Sequence, residues 1–148
     1  MADEKKNAWV TRVLGVAFTD GGGSAAPSSI AEAAAAWRAA VEAVDAQITA
    51  LQSALRGTDD EELHEIAEFG LNAVTGNHKV RLMAALMGAE RGGERDRAKL
   101  AGLIAPFRTH LENDERVDAC DENPFGVPMS VRATLIPALD GLARSIDA

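Results

Sequence analysis

The chain has 148 residues, of which 47% are hydrophobic and 26% are charged. This is long enough for one domain with its own core, and the composition matches neither a disordered chain nor a membrane protein. The formal net charge of −8 disfavours contact with nucleic-acid phosphates, so we expect neither nucleic-acid nor membrane partners. The single cysteine, Cys120, excludes an internal disulfide and fits a reducing, cytoplasmic compartment.

The first 28 residues predict an arm and a linker ahead of a bundle at residues 29–148. Residues 1–18 form the arm, and one helical face there holds apolar side chains, namely Trp9, Val10, Val13, Leu14 and Ala17. Residues 19–28 are rich in Gly, Ser and Ala and have the composition of a linker. We expect Trp9, Val13 and Leu14 to bind a partner surface, which is either the bundle of the same chain or another molecule.

Residues 29–56 predict a long central helix. Its apolar positions alternate in steps of four and three, as in a helix that packs lengthwise on other helices: Ile30, Ala34, Trp37, Val41, Val44, Ile48, Leu51 and Leu55. Ser29 and Glu32 have the spacing of a capping box, and Gly57 marks the end of the helix.

The next helices form a predicted second arm between residues 58 and 88. Thr58 is expected to cap the first of them, with Gly70 inside that helix at a close crossing. Asn77 is expected to cap a further helical segment that holds the apolar residues Val80, Leu82, Met83, Leu86 and Met87.

Two more helices complete the prediction, at residues 94–111 and from Ser130 to Ile146. Pro106 predicts a kink or break near Gly102, because proline removes a helical hydrogen bond and clashes one turn back. In the loop between the two helices, Phe125 is expected to insert into the end of the bundle. The fold class is therefore all-α, with about four main helices, a long central helix and a tethered N-terminal amphipathic helix.

Three groups of residues suggest chemistry, but each also has a structural interpretation. His64 and Glu68 have the i, i+4 spacing of two metal ligands, but a third ligand is not identifiable and an exposed acidic face is favoured. Cys120 and His110 would resemble a nucleophile and its base if they met, although a buried structural thiol is favoured. The acids at 114–122 lack the spacing of a calcium loop. We expect Asp114 to cap a short turn through Cys120, and Asp118 and Asp121 to cap helix ends or to pair with Arg116 or Arg132.

The most distinctive sequence runs from Asp121 to Leu135, as Asp-x-Asn-Pro-Phe-Gly-Val-Pro-x-Ser-Val-Arg-x-Thr-Leu, and follows Glu-Asn-Asp-Glu-Arg-Val at residues 112–117. It resembles the closing segment of a helical domain in uncharacterised proteobacterial proteins of the multidomain or secreted-effector type. Residues 9–16 and the helix around Trp37 are similar to parts of the same module. The resemblance implies an accessory or adaptor bundle and supplies no catalytic residue.

Together these features predict a non-enzymatic helical bundle that binds another protein or a second copy of itself. We expect no catalytic residue, no cofactor and no resident metal. The alternative is a small metal- or thiol-dependent enzyme using His64/Glu68 or Cys120/His110. A third possibility, nucleic-acid binding through residues 79–99, would need a coherent basic face.

Overall fold

The computed structural model describes residues 29–147, so the predicted arm and linker, with Trp9, Val13 and Leu14, lie outside the described residues. Within 29–147 the chain forms seven helices and no strand: α1 (Ile30–Ala54), α2 (Glu61–Phe69), α3 (Leu71–Thr75), α4 (His78–Glu90), α5 (Glu94–Asn113), α6 (Glu115–Asp121) and α7 (Val131–Asp147). The all-α class is confirmed. The helix count differs from the four predicted, because the second arm divides into α2, α3 and α4, and the acidic segment forms α6.

Helix α1 matches its prediction closely. The Ser29 hydroxyl accepts a hydrogen bond from the backbone N–H of Glu32 at 3.1 Å, which satisfies one free amide of the first turn. Six of the eight predicted seam positions are buried, and the other two, Ile30 and Val41, are partly buried. α1 packs mainly on α7, while α5 packs on both α4 and α7. The buried residues of all seven helices form one core.

The second arm begins and breaks differently from its prediction. Asp60, not Thr58, caps α2, and its carboxylate accepts bonds from the amides of Glu62 and Leu63 at 3.0 and 3.2 Å. Gly70 ends α2 instead of lying within it, because its φ of +64° is in the left-handed region that glycine adopts readily. A Cβ at Gly70 would also lie 3.2 Å from Nε2 of Gln52.

Of the kink or break predicted near Gly102, the break does not occur, because α5 is continuous through Pro106. Proline leaves the carbonyl four residues earlier without its helical donor. Here that residue is Gly102, and both Pro106 and Gly102 are exposed, so water can satisfy the freed carbonyl. The same arrangement recurs in α7, where Pro137 and Ala133 are both exposed.

Large apolar side chains on α4 and in the loop before α7 are exposed, including that of Phe125, which was predicted to insert into the end of the bundle. Val80 and Met87 on α4 have exposed fractions of 55% and 50%, and Phe125 has 43%. α4 buries Leu82, Ala85, Leu86 and Ala89, which lie on its opposite side. Phe125 therefore does not plug the bundle, and Val80 and Met87 do not belong to the core.

The loop before α7 is held by Asn123, which makes four hydrogen bonds. Its Oδ1 accepts from the amides of Phe125 and Val127 at 3.1 and 3.2 Å. Its Nδ2 donates to the carbonyls of Cys120 and Val127, both at 2.9 Å. One side chain thus closes the turn around Pro124 and Gly126.

The first turn of α7 is capped by residues distant in sequence. Asp121 accepts from the amides of Val131 and Arg132 at 2.7 and 3.3 Å. The side chain of Gln47 accepts from the amide of Ser130 at 3.0 Å and donates to its hydroxyl at 3.0 Å. The distinctive sequence at 121–135 is therefore accounted for by the architecture of this loop and cap.

None of the helices within residues 29–147 combines the length and the hydropathy that crossing a membrane requires.

Candidate partner-binding surface

A concave surface lies where α2 gives way to α3. The left-handed conformation of Gly70 turns the chain directly after Phe69, and the Phe69 side chain is left 59% exposed. A shallow cavity of about 250 Å³ lies beside it, lined by Glu65, Phe69, Asn72, Ala73 and Arg116. We call these five residues the Phe69 cavity.

The rim of the Phe69 cavity is fixed by ion pairs. Arg116 contacts Glu65 across the cavity at 3.4 Å. On its other side, Arg116 donates two bonds to Asp114, at 3.0 Å from Nε and 2.9 Å from Nη2. These bonds lower the pKa of the Asp114 carboxyl, so the pair stays ionised. A guanidinium held by both edges loses less conformational freedom when a partner docks on it.

A row of polar and aromatic contacts joins this rim to the core. Nδ1 of His110 lies 3.5 Å from Asp114, and its Nε2 lies 2.6 Å from the carbonyl oxygen of Val74. The rings of His110 and His78 are 4.9 Å apart between centroids. Burial, followed by the proximity of His110 and Arg81, lowers the pKa of His78.

The row ends on the two largest buried aromatic side chains. His78 stacks on Phe107 with centroids 5.3 Å apart. Phe107 meets Trp37 edge-on at 5.5 Å, and Nε1 of Trp37 donates to the sulfur of Met83 at 3.1 Å. The Trp37 and Phe107 side chains are fully buried, so a series of contacts connects the rim of the cavity to the buried core.

The structure does not join Cys120 to His110. Both ring nitrogens of His110 face other acceptors, and no hydrogen bond links the ring to the thiol among residues 29–147. Burial raises the pKa of the Cys120 thiol to about 12, which strongly disfavours the nucleophilic thiolate. The favoured interpretation, a buried structural thiol, fits these contacts.

His64 and Glu68 do approach each other, at 3.7 Å between Nε2 and Oε2, but their side chains are 65% and 55% exposed. Nowhere in the described part of the chain do three or more His, Cys, Asp or Glu side chains converge as metal ligands would. The pair therefore forms a solvated i, i+4 contact on α2.

Asp114, Asp118 and Asp121 take structural roles of the kind that the sequence predicts. Asp114 caps α6 and binds Arg116, Asp118 binds Arg132 at 2.5 Å, and Asp121 caps α7. The nearby cleft of about 370 Å³ is lined by five carboxylates, and Asp60 and Asp118 among them are already engaged in capping and pairing. A hydrogen bond with Glu115 raises the pKa of Glu62 there.

One arginine of the basic segment 79–99 is engaged within the fold. Arg97 turns inward and donates to the carbonyls of Ser145 and Ile146 in the last turn of α7, both at 3.3 Å. This contact places positive charge at the negative end of the α7 dipole. Glu90, an acid of the same segment, is paired with Arg38 of α1.

Sequence reasoning missed the Phe69 cavity and the pairing of His78 with His110. Phe69 was not assigned to the apolar face of α2, although it lies three residues after Ile66, as Ile66 does after Leu63. A large aromatic residue directly before a glycine that ends the helix was the available signal. The histidine pair had no such signal, because its members lie on different helices. Comparison of the chain with family models, with curated proteins and with solved structures finds no match.

Proposed function

We propose that this protein is a non-enzymatic helical bundle that binds another protein, as an adaptor or accessory module, through the Phe69 cavity. The supporting observation is the 59% exposed side chain of Phe69 beside that cavity. Scattered exposed apolar residues are ordinary on protein surfaces. A large aromatic side chain next to a concavity and a pre-positioned arginine is the combination enriched at the energetic centres of protein interfaces.

The geometry of the cavity favours a particular kind of partner surface. Its floor includes Ala73, which is small and buried, so one apolar side chain of the partner can enter beside Phe69. Glu65 and Arg116 then offer one acceptor and one donor at the rim. The partner is another protein or a second copy of this chain.

Several features of the sequence support the same proposal. The resemblance of residues 112–135 to a helical module of bacterial multidomain proteins implies an accessory role, and the single reduced cysteine fits the cytoplasm. The net charge of −8 works against a nucleic-acid partner.

The test is affinity capture from an extract of the source organism with three baits: the wild-type chain, Phe69→Ser and Phe125→Ser. Phe125 is the matched control, because it is 43% exposed but does not line the cavity. We expect a protein, or added copies of the chain itself, to be retained by the wild type and by Phe125→Ser but lost with Phe69→Ser. Identical retention by all three baits would refute the assignment to Phe69. A chain that is monomeric in light scattering and captures nothing would refute protein binding.

A further inference from the structure

Two histidines from different helices lie against each other beside the core. His78 is the first residue of α4, and its ring centroid lies 4.9 Å from that of His110 on α5 and 5.3 Å from that of the buried Phe107. The start of α4 therefore contacts α5 through the ring of His78. We propose that His78 and His110 form a pH-sensitive latch, which holds the start of α4 against α5 at neutral pH and releases it in mild acid.

His110 can carry a proton without leaving its position. Its Nε2 lies 2.6 Å from the carbonyl oxygen of Val74, and its Nδ1 lies 3.5 Å from the carboxylate of Asp114. Only a doubly protonated ring has a donor at both nitrogens. A positive charge on His110 therefore faces a carbonyl oxygen on one side and an ionised carboxylate on the other.

A proton on His78 has no comparable partner. The charged groups that act on His78 are His110 from α5 and Arg81 from its own helix. α3, which precedes it, contains no titratable residue, and the ion pair that joins α1 to α4, Arg38–Glu90, lies at the far end of α4. In the part of the chain that the structure describes, no acidic side chain acts on His78. A protonated His78 would therefore meet positive charge alone in a half-buried position.

This difference between the two rings determines the direction of the pH response. Burial, followed by the proximity of His110 and Arg81, lowers the pKa of His78 in the closed state below its ordinary value of 6.5. An open state, in which the ring has left Phe107 for water, binds the proton more readily, so falling pH favours opening. Because opening then takes up one proton, the ratio of open to closed protein rises up to about tenfold for each pH unit below 6.5.

Release of His78 also affects the lining of the Phe69 cavity. Only Gly76 and Asn77 separate α3 from α4, so α3 loses its attachment on one side when the start of α4 moves. α3 supplies Asn72 and Ala73 to the cavity. We therefore expect the cavity to bind its partner less tightly in mild acid, a consequence that rests on the function proposed for it above.

Amide hydrogen exchange on the full chain tests the latch at pH 7.5 and 5.5, with protection factors corrected for the intrinsic effect of pH. The amides of Ala73, Gly76 and Arg81 report opening, because each donates to a backbone carbonyl at the junction of α3 and α4. We expect their protection factors to fall roughly tenfold in the wild type. In His78→Gln the fall should be less than about twofold, since the amide side chain takes up no proton. The amides of α7 should be more strongly protected than the junction at both pH values, because their exchange requires global unfolding.

His64→Gln is the matched control, because His64 is an exposed histidine whose side chain contacts Glu68 within α2. Its junction amides should lose protection as in the wild type. Three results would overturn the latch: junction protection that does not depend on pH, an equal fall in His78→Gln and in the wild type, or junction amides as strongly protected as those of α7 at pH 5.5.

A second measurement needs only the wild type and covers a His78→Gln chain that does not fold. In nitrogen NMR spectra of the histidine rings, His78 should be mostly neutral at pH 6.5, where an ordinary histidine is half protonated. A half-protonated His78 at that pH would contradict the arrangement described here.

Both measurements are made without a partner, so the latch and the proposed function fail separately. Failure of the wild-type bait to capture a protein would refute the proposed function and leave the latch in place. Equal capture at pH 7.5 and 5.5 by a chain whose junction opens would refute the effect of the latch on the Phe69 cavity.

Discussion

Replacing Asn123 by alanine should destabilise the bundle far more than replacing an ordinary surface asparagine. The side chain of Asn123 makes four hydrogen bonds of 2.9–3.2 Å within the loop that leads into α7. Each such bond contributes about 0.5–1.5 kcal/mol net, and Asn123 is half-buried, so water replaces part of what is lost. We expect Asn123→Ala to lower the free energy of unfolding by about 2–3 kcal/mol, which corresponds to a fall in Tm of about 5–10 °C for a chain of this length.

Urea unfolding followed by far-UV circular dichroism measures this difference, and Asn113→Ala is the matched control. Asn113 is exposed and donates one bond, to the carbonyl of Thr109, so its loss should change stability by no more than about 0.5 kcal/mol. Asn123→Asp distinguishes the two bonds that Oδ1 accepts from the two that Nδ2 donates. A carboxylate keeps both accepted bonds but cannot donate to the carbonyls of Cys120 and Val127. If Asn123→Ala is no more destabilising than Asn113→Ala, or if Asn123→Asp is as stable as the wild type at neutral pH, this account of the loop is wrong.

The remaining predictions concern four sites. Gly70→Ala should lower stability in urea unfolding by about 1 kcal/mol or more, because alanine is strained at positive φ and would crowd Gln52. By contrast, Gly102→Ala in the exposed, open middle of α5 should raise the free energy of unfolding by about 0.5–1 kcal/mol. If Gly70→Ala and Gly102→Ala change the free energy of unfolding equally, the role given to the positive φ of Gly70 is wrong. The Cys120 thiol should react with a disulfide reagent at pH 8 roughly a thousandfold more slowly in the folded protein than in urea, because its pKa is raised from 9.0 to about 12; rapid native labelling would revive the thiol-enzyme alternative. Because burial above all lowers the pKa of His78 in the folded state below its ordinary value of 6.5, the unfolded chain binds the proton more readily. The contribution of His78 to the free energy of unfolding should therefore be fully present above pH 6.5 and be lost as the pH falls. In urea unfolding, the free energy of unfolding of His78→Gln should decline less between pH 7.5 and 5.5 than that of the wild type.

Local sequence determined the features whose physical causes are local. The steps of four and three in α1 identify its buried side, because a helix repeats its faces every 3.6 residues whatever lies beside it. The Ser29 cap and the role of Asp114 before α6 also follow from short spacings, because a capping side chain reaches only two or three residues along the chain. The all-α class follows from such signals taken together.

The sequence could not predict features that depend on neighbours far along the chain. The sequence shows that apolar residues, Val80 and Met87 among them, occur on more than one side of α4. Only the positions of α1 and α5 decide which of these sides is covered. Pro106 would break a helix if its freed carbonyl were buried, and it is accommodated because that side of α5 faces water.

The Phe69 cavity and the aromatic row depend on contacts of the same long-range kind. Glu65 and Arg116 are 51 residues apart, and Trp37 and Met83 are 46 residues apart, so no local pattern indicates that they meet. The sequence by itself therefore determined where helices form and which of their faces are apolar. Only the tertiary structure decided which of those faces are buried and which side chains come together, because each such contact depends on the simultaneous placement of helices that are distant in sequence.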